Sequence, residues 1–279
     1  MKQRIISACV GLCVLAVVLA YFDTWVLNLA ISAISAMAVW EVLDVSQRHH
    51  NRVLTVSALI FSVLIPFFQV GYVRHLLPVI CYVFILVLFS VLLAKHSEMH
   101  VEQVAFMSFI SLLIPFALST VIFIRDSRGY LMGFYYTIFA LVAAWSADTG
   151  AYFAGLRFGR HKLSPEISPK KTVEGAIGGG ITALICALLV TWLFVNGATQ
   201  LSGRPVEANF LIIALASPVL TVLSIIGDLS ASVIKRQYGV KDFGHIMPGH
   251  GGIMDRFDSV MFVMPAVFIL SVYCPLVTM

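Results

Sequence analysis

The residues most able to do chemistry are carboxylates set among basic side chains in the second half of a very apolar chain. Eight of the fourteen acidic residues lie from Asp148 onward. Asp148 stands in the run Trp145-Ser146-Ala147-Asp148-Thr149-Gly150, inside an otherwise apolar segment. A carboxylate at membrane depth is expensive and points to function, although pairing with an Arg or Ser of a neighbouring helix would also account for it. Ser224, Asp228 and Ser232 recur at i, i+4 and i+8, so they share one helix face, with Lys235 one turn on. Such a stripe faces protein or water rather than lipid; simple helix–helix adhesion is the alternative.

The densest polar stretch runs from Lys241 to Ser259 and contains Asp242, His245, His250, Asp255, Arg256 and Asp258 among four glycines. Asp255 and Asp258, at i and i+3, project together at the start of an apolar helix. Glycines there let backbone N–H groups approach an anion, and the helix start favours negative charge. Carboxylates beside an anionic ligand would repel it unless a divalent cation bridges both. Hard oxygen ligands favour Mg²⁺. A second basic run, Ser168-Pro169-Lys170-Lys171-Thr172-Val173-Glu174-Gly175, leads into another apolar segment. Thr172 is placed to cap that helix, leaving Lys170 and Lys171 beside its first N–H groups, a phosphate-binding arrangement. Plain topogenic charge would also put lysines there. Gly175 and Gly179 form a GxxxG, which most often means close helix packing.

The elements that position these groups are membrane helices. Of 279 residues, 60% are hydrophobic and 11% charged, against roughly a quarter charged in a water-soluble domain. The five cysteines, Cys9, Cys13, Cys81, Cys186 and Cys274, fall in apolar runs without metal-type spacing and read as small hydrophobes. A crossing takes about 20 apolar residues. Nine such segments can be drawn, near 5–22, 25–43, 53–72, 76–94, 103–124, 131–155, 173–196, 209–233 and 257–277. The first lacks a small-residue cleavage site and is expected to be retained. The expected fold is an all-α, polytopic integral membrane protein: five spans in residues 1–130, then a catalytic region in 131–279 with two long loops, 156–172 and 234–256.

Lys and Arg fix the orientation. Under alternating topology one side holds Lys2, Arg4, Arg48, Arg52, Lys95, Arg157, Arg160, Lys162, Lys170, Lys171, Lys235, Arg236, Lys241 and Arg256. The other holds Arg74, Arg125, Arg128 and Arg204. The N-terminus is therefore expected in the cytoplasm, the C-terminus outside, and both long loops in the cytoplasm. Asp148, Asp228, Asp255 and Asp258 then sit at the cytoplasmic ends of three spans, ringed by cations. That arrangement suits metal-assisted handling of a polyphosphate, with a lipid phosphate as second substrate.

The C-terminal pattern resembles the signature of the CDP-diacylglycerol synthase (phosphatidate cytidylyltransferase) family. It reads Ser232-Val233-Ile234-Lys235-Arg236, Lys241-Asp242-Phe243-Gly244 and Pro248-Gly249-His250-Gly251-Gly252-Ile253-Met254-Asp255-Arg256-Phe257-Asp258. Asp148-Thr149-Gly150-Ala151-Tyr152, Ser168–Gly175 and Gly227-Asp228-Leu229 match as well, so the likeness is strong over about 140–260. Two positions depart: Ala231 replaces a usual Glu beside the site, and Met247 a usual Leu, Ile or Phe.

The resemblance implies transfer of CMP from CTP to phosphatidic acid, giving CDP-diacylglycerol and pyrophosphate, in a bacterial inner membrane with the site facing the cytoplasm. It implies Asp228 and Asp255 as Mg²⁺ ligands with Asp258 and Asp148 in support. Lys235, Arg236, Lys241, Lys170 and Lys171 steady phosphates, with Thr172 and Arg256 at the substrate. The backbone of His250, Gly251 and Gly252 cradles the triphosphate, and His250 is a donor. A second, monovalent cation such as K⁺ is implied by the family alone. GxxxG spacing and the need for lateral lipid access favour a homodimer; nucleic acid is not an expected partner. A related enzyme acting on a prenyl or archaeal-type lipid phosphate would share the site. A transporter is the rival from another class, disfavoured because the polar groups gather at one face and no repeated halves are evident.

Overall fold

The structure is a computed structural model and describes residues 2–46, 51–68, 74–247, 249 and 251–279. It is mostly helical. Six of the described helices are long and apolar enough to cross a membrane. They are α2 (Trp25–Ser46), α4 (Leu77–Ala94), α5 (Val101–Phe158), α6 (Val173–Ser202), α7 (Phe210–Gln237) and the segment Met254–Tyr273. Shorter helices are α1 (Lys2–Ala20) and α3 (Arg52–Leu64), the latter running into a 3-10 turn at Ile65–Phe67. The segment Met254–Tyr273 opens with a single turn, α8 (Met254–Phe257), before α9 (Val260–Tyr273).

Helix α5 is too long for one crossing, since 58 residues at about 1.5 Å each would exceed the hydrocarbon thickness more than twofold. It breaks at Gly129, whose φ of 74° lies in the left-handed region that glycine adopts without a Cβ penalty. Past the break the chain folds back: a Cβ on Gly133 would stand 2.8 Å from the Arg125 Cα. The sequence places its 124/131 boundary at this reversal.

Two compact units make up the chain, Met1–Ile122 with Val240–Arg256, and Phe123–Gly239 with Phe257–Met279. In the first, α2 packs on α3, and α3 on α4. Prolines and 3-10 geometry leave helix carbonyls without the usual i+4 partner. Here α2 supplies the donors: Asn28 Nδ2 donates to the Pro66 carbonyl at 2.7 Å and Ser32 Oγ to that of Val63 at 2.8 Å. Phe61 and Phe84 stack with ring centres 4.4 Å apart.

In the second unit, α6 packs along α7 and α7 along α9. Gly175 and Gly179 are buried against the returning arm of α5, where a Cβ on Gly179 would lie 2.6 Å from the Ala147 carbonyl oxygen. The GxxxG is thus used within the chain, which removes it as an argument for a dimer. Two short β pairs qualify the all-α expectation. The first, β1 (Lys162–Ser164) with β2 (Ser168–Thr172), is an antiparallel hairpin in the segment read from sequence as an irregular loop. The second joins β3 (Glu207–Ala208) to β4 (Val277–Thr278).

Candidate functional site

The polar stripe of α7 is the spine of the second unit's polar cluster. Ser224 is fully buried and donates to Asp148 Oδ1 at 3.3 Å. Ser259, also buried, donates from its hydroxyl to Asp148 Oδ2 at 3.0 Å. One oxygen of Asp148 is therefore held from α7 and the other from the turn that leads into α9. One turn along α7, Asp228 accepts a 3.4 Å bond from Ser232 and pairs with Lys171, whose Nζ lies 2.5 Å from Oδ2. Asp258 is buried, with its Oδ1 accepting from the backbone N–H of Ser259 at 2.7 Å.

Asp148, Asp228 and Asp258 are close enough to repel one another. Gly227 is what lets α7 and the last span come so near: a Cβ there would run into the Asp258 carbonyl. Lys235 is buried on α7 and offsets part of the negative charge at Asp258. Ala231, where the signature usually has Glu, is buried on the same helix.

The lysine-bearing hairpin is anchored at both ends. Thr172 caps α6, its Oγ1 accepting from the Gly175 N–H at 3.1 Å, as the sequence predicts. Glu174 reaches back to accept from the backbone N–H groups of Arg160 at 3.0 Å and His161 at 3.2 Å, with His161 Nδ1 at 2.6 Å from Oε1. Arg236 Nε donates to the Ile167 carbonyl at 3.4 Å, tying the hairpin turn to the end of α7. Lys171 thus points into the carboxylate cluster, whereas Lys170 and Arg236 are exposed.

The remaining signature residues lie in the first unit. The chain from Lys241 to Arg256 folds on itself through a bridge in which the Met247 N–H donates to the Gly251 carbonyl at 3.0 Å. Asp255 Oδ2 accepts from the N–H groups of Phe243 at 2.9 Å and Gly252 at 3.0 Å. The Gly252 N–H, expected to face a phosphate, is therefore turned to Asp255. Lys241 and Arg256 are exposed. His250 and Pro248 lie outside the described residues.

One carboxylate here went unread in the sequence. Glu41 of α2 is fully buried, and its two oxygens accept from Ile253 N–H at 2.9 Å and Met254 N–H at 2.8 Å. Its signal was of the kind that singled out Asp148, an acid within an apolar run, here with Asp44 one turn on.

Among the described residues no three His, Cys, Asp or Glu side chains form a ready-made metal cage. An apolar cleft of about 290 Å³ in the first unit is lined by Phe61, Phe84, Leu88, Val104 and their neighbours. It has no charged side chain among the residues that line it.

Residues 2–274 match the model of the family described as the cytidylyltransferase family. A phosphatidate cytidylyltransferase of Bacillus subtilis (strain 168) is 34% identical over 280 residues, covering 97% of each chain. Proteins of the same name from Staphylococcus haemolyticus (strain JCSC1435) and Staphylococcus saprophyticus are 45% identical over 140 residues and 38% identical over 192 residues. These cover 50% and 67% of this chain, and 50% and 68% of the relatives' own lengths.

Proposed function

The chain belongs to the cytidylyltransferase family, and on that premise we propose that it transfers the CMP group of CTP to phosphatidic acid. The products are CDP-diacylglycerol and pyrophosphate. The observation that carries this reading is the convergence of Asp148 on α5, Asp228 on α7 and Asp258 in the turn before α9, with Lys171 and Lys235 beside them. A charged, serine-lined cluster on membrane helices is what a reaction between a water-soluble triphosphate and a lipid phosphate requires.

An oxygen of the lipid phosphate bonds to the α-phosphorus of CTP while the bond from that phosphorus to the β-phosphate oxygen breaks. Pyrophosphate leaves with the bonding electrons. The attacking phosphate is already ionised, so alignment and charge neutralisation matter more than a strong base. Lys171 is the residue best set to exchange its carboxylate partner for a phosphate. Lys235 holds positive charge near Asp258, and Ser224 and Ser259 keep Asp148 oriented. In the first unit we assign Asp255, Lys241, Gly251 and Gly252 to the nucleotide, with His250 and Arg256 as donors. Lys170 and Arg236 serve phosphate attraction from the exposed side.

The donor set fits Mg²⁺. Mutually repelling carboxylates with hard oxygens favour a divalent cation, and Mg²⁺ is commonly held by one or two carboxylates with substrate phosphates and water completing its shell. Asp228 and Asp258 are the ligands we assign in the second unit, and Asp255 is the assignment in the first. Bound there, the ion neutralises phosphate charge. A second, monovalent cation such as K⁺ rests on the family likeness alone.

The reading includes nine crossings of a bacterial inner membrane, with the N-terminus and the site cytoplasmic and the C-terminus outside. The Lys and Arg distribution and the reversal at Gly129 support it. A homodimer is part of the reading through the need for lateral lipid access alone, since lipid equally covers the outward apolar stripe of Ile177, Ile181, Ile185 and Leu189 on α6. Labelled CTP offered with a panel of lipid phosphates tests the substrate. Label should enter phosphatidate; label entering only a prenyl phosphate would reassign the lipid.

A further inference from the structure

Three consecutive backbone N–H groups at the start of the last span end on carboxylates. Gly252 donates to Asp255 Oδ2, Ile253 to Glu41 Oε1 and Met254 to Glu41 Oε2. Asp255 is local to the loop. Glu41 comes from α2, more than two hundred positions earlier in the chain. We propose that Glu41 is a positioning residue for cytidylyl transfer, fixing the backbone of 252–254 so that Asp255 and the glycine loop keep one geometry. The inference rests on the function proposed above.

Burial is the first argument. Glu41 is fully buried, and a buried carboxylate is tolerated only when its hydrogen bonds are satisfied. Its acceptors are spent on backbone donors, so its effect is to hold chain. The fit is the second argument. Gly244 and Gly252 both press on the Glu41 head: a Cβ on Gly244 would stand 2.5 Å from Oε1, and one on Gly252 would overlap Oε2. Two glycines of the loop thus leave room for a carboxylate delivered from another helix. Direction is the third. Asp255 accepts from Phe243 and Gly252 through the same oxygen, so its orientation depends on where residues 252–254 are held. The side chain of Glu41 is placed to set the loop's geometry without itself meeting a substrate.

Gln at this position keeps the size but replaces one acceptor with an NH₂ group facing a backbone N–H. That leaves one buried donor without a partner and lets the loop shift. A misplacement of about 1 Å in a catalytic arrangement can cost up to about a hundredfold in rate. For Glu41→Gln, kcat should fall by about tenfold or more and KM for CTP rise, while KM for phosphatidate stays within about twofold. Glu41→Asp, which restores both acceptors on a shorter stem, should recover a substantial part of the lost kcat. Gly244→Ala probes the same contact from the loop side with the carboxylate intact, and should lower kcat similarly.

The experiment is steady-state pyrophosphate release by detergent-purified full-length protein, varying CTP and phosphatidate in turn, with the folded fraction followed by size-exclusion chromatography. Wild-type kcat and KM values in Glu41→Gln, or in Gly244→Ala should the Glu41 variants not fold, would overturn the inference while leaving the proposed function standing. A loss that merely tracks the folded fraction, with both KM values unchanged, would also overturn it. A wild-type protein silent with CTP and phosphatidate would instead sink the functional reading, and this inference with it.

Discussion

Lys171 Nζ lies 2.5 Å from Asp228 Oδ2, so the basic hairpin is tied directly to the polar face of α7. Both side chains are about a quarter exposed, at 23% and 28%, so the pair is neither fully buried nor free in solvent. A partly exposed pair of this kind contributes little to stability. On the proposed function its interest is chemical, with Lys171 exchanging the carboxylate for a phosphate.

Lys171→Met should therefore raise KM for CTP or phosphatidate several-fold and lower kcat, with little change in thermal midpoint. Steady-state kinetics beside a melting curve checks this. Unchanged kinetics would remove Lys171 from the phosphate-binding set.

Asp228→Asn should lower kcat by at least about a hundredfold, the scale on which single electrostatic partners act in preorganised sites. The substitution keeps the shape and the Ser232 contact, so the protein should still purify as a folded species. Near-normal turnover would end the assignment of Asp228 to the catalytic cluster.

Metal removal is a separate expectation. Excess EDTA should abolish turnover, and added Mg²⁺ should restore it in wild type but only at higher concentration in Asp258→Asn. Activity indifferent to EDTA would contradict the cation assignment.

Thr172→Ala removes the oxygen that accepts the Gly175 N–H and should cost about 1 kcal/mol of stability, with Thr172→Ser largely restoring it. Thermal unfolding in detergent gives the comparison. Because the cap also ends the hairpin, kcat should fall in parallel.

Gly179→Val would drive a branched side chain into the Ala147 carbonyl and the Ala151 methyl. Overpacking of this sort costs about 1–3 kcal/mol. The thermal midpoint should drop while the oligomeric state, read by light scattering, stays the same. A dissociated oligomer with an unchanged midpoint would mean that this GxxxG serves a partner chain.

Much of this was legible in the sequence because membrane helices announce themselves by length and apolarity. Segments near 25–43, 76–94, 173–196 and 209–233 all correspond to long helices. The Thr172 cap and the Ser224–Asp228–Ser232 face were readable because both depend on local spacing. Glu41 was not, since its partners are more than two hundred residues away and sequence spacing says nothing of such pairing. Ser259 escaped for the same reason, its bond to Asp148 joining positions 111 apart. The β hairpin was missed because its lysines and prolines look like a solvated loop. What fixes it is the distant grip of Glu174 on Arg160 and His161.

The central claim is tested most directly by pyrophosphate release from purified protein given CTP and phosphatidic acid, with ATP and dCTP as nucleotide controls. The account predicts release that requires phosphatidic acid, is clearly faster with CTP than with ATP, and produces CDP-diacylglycerol one for one. No phosphatidate-dependent release, from protein shown to be folded and supplied with Mg²⁺, would contradict it.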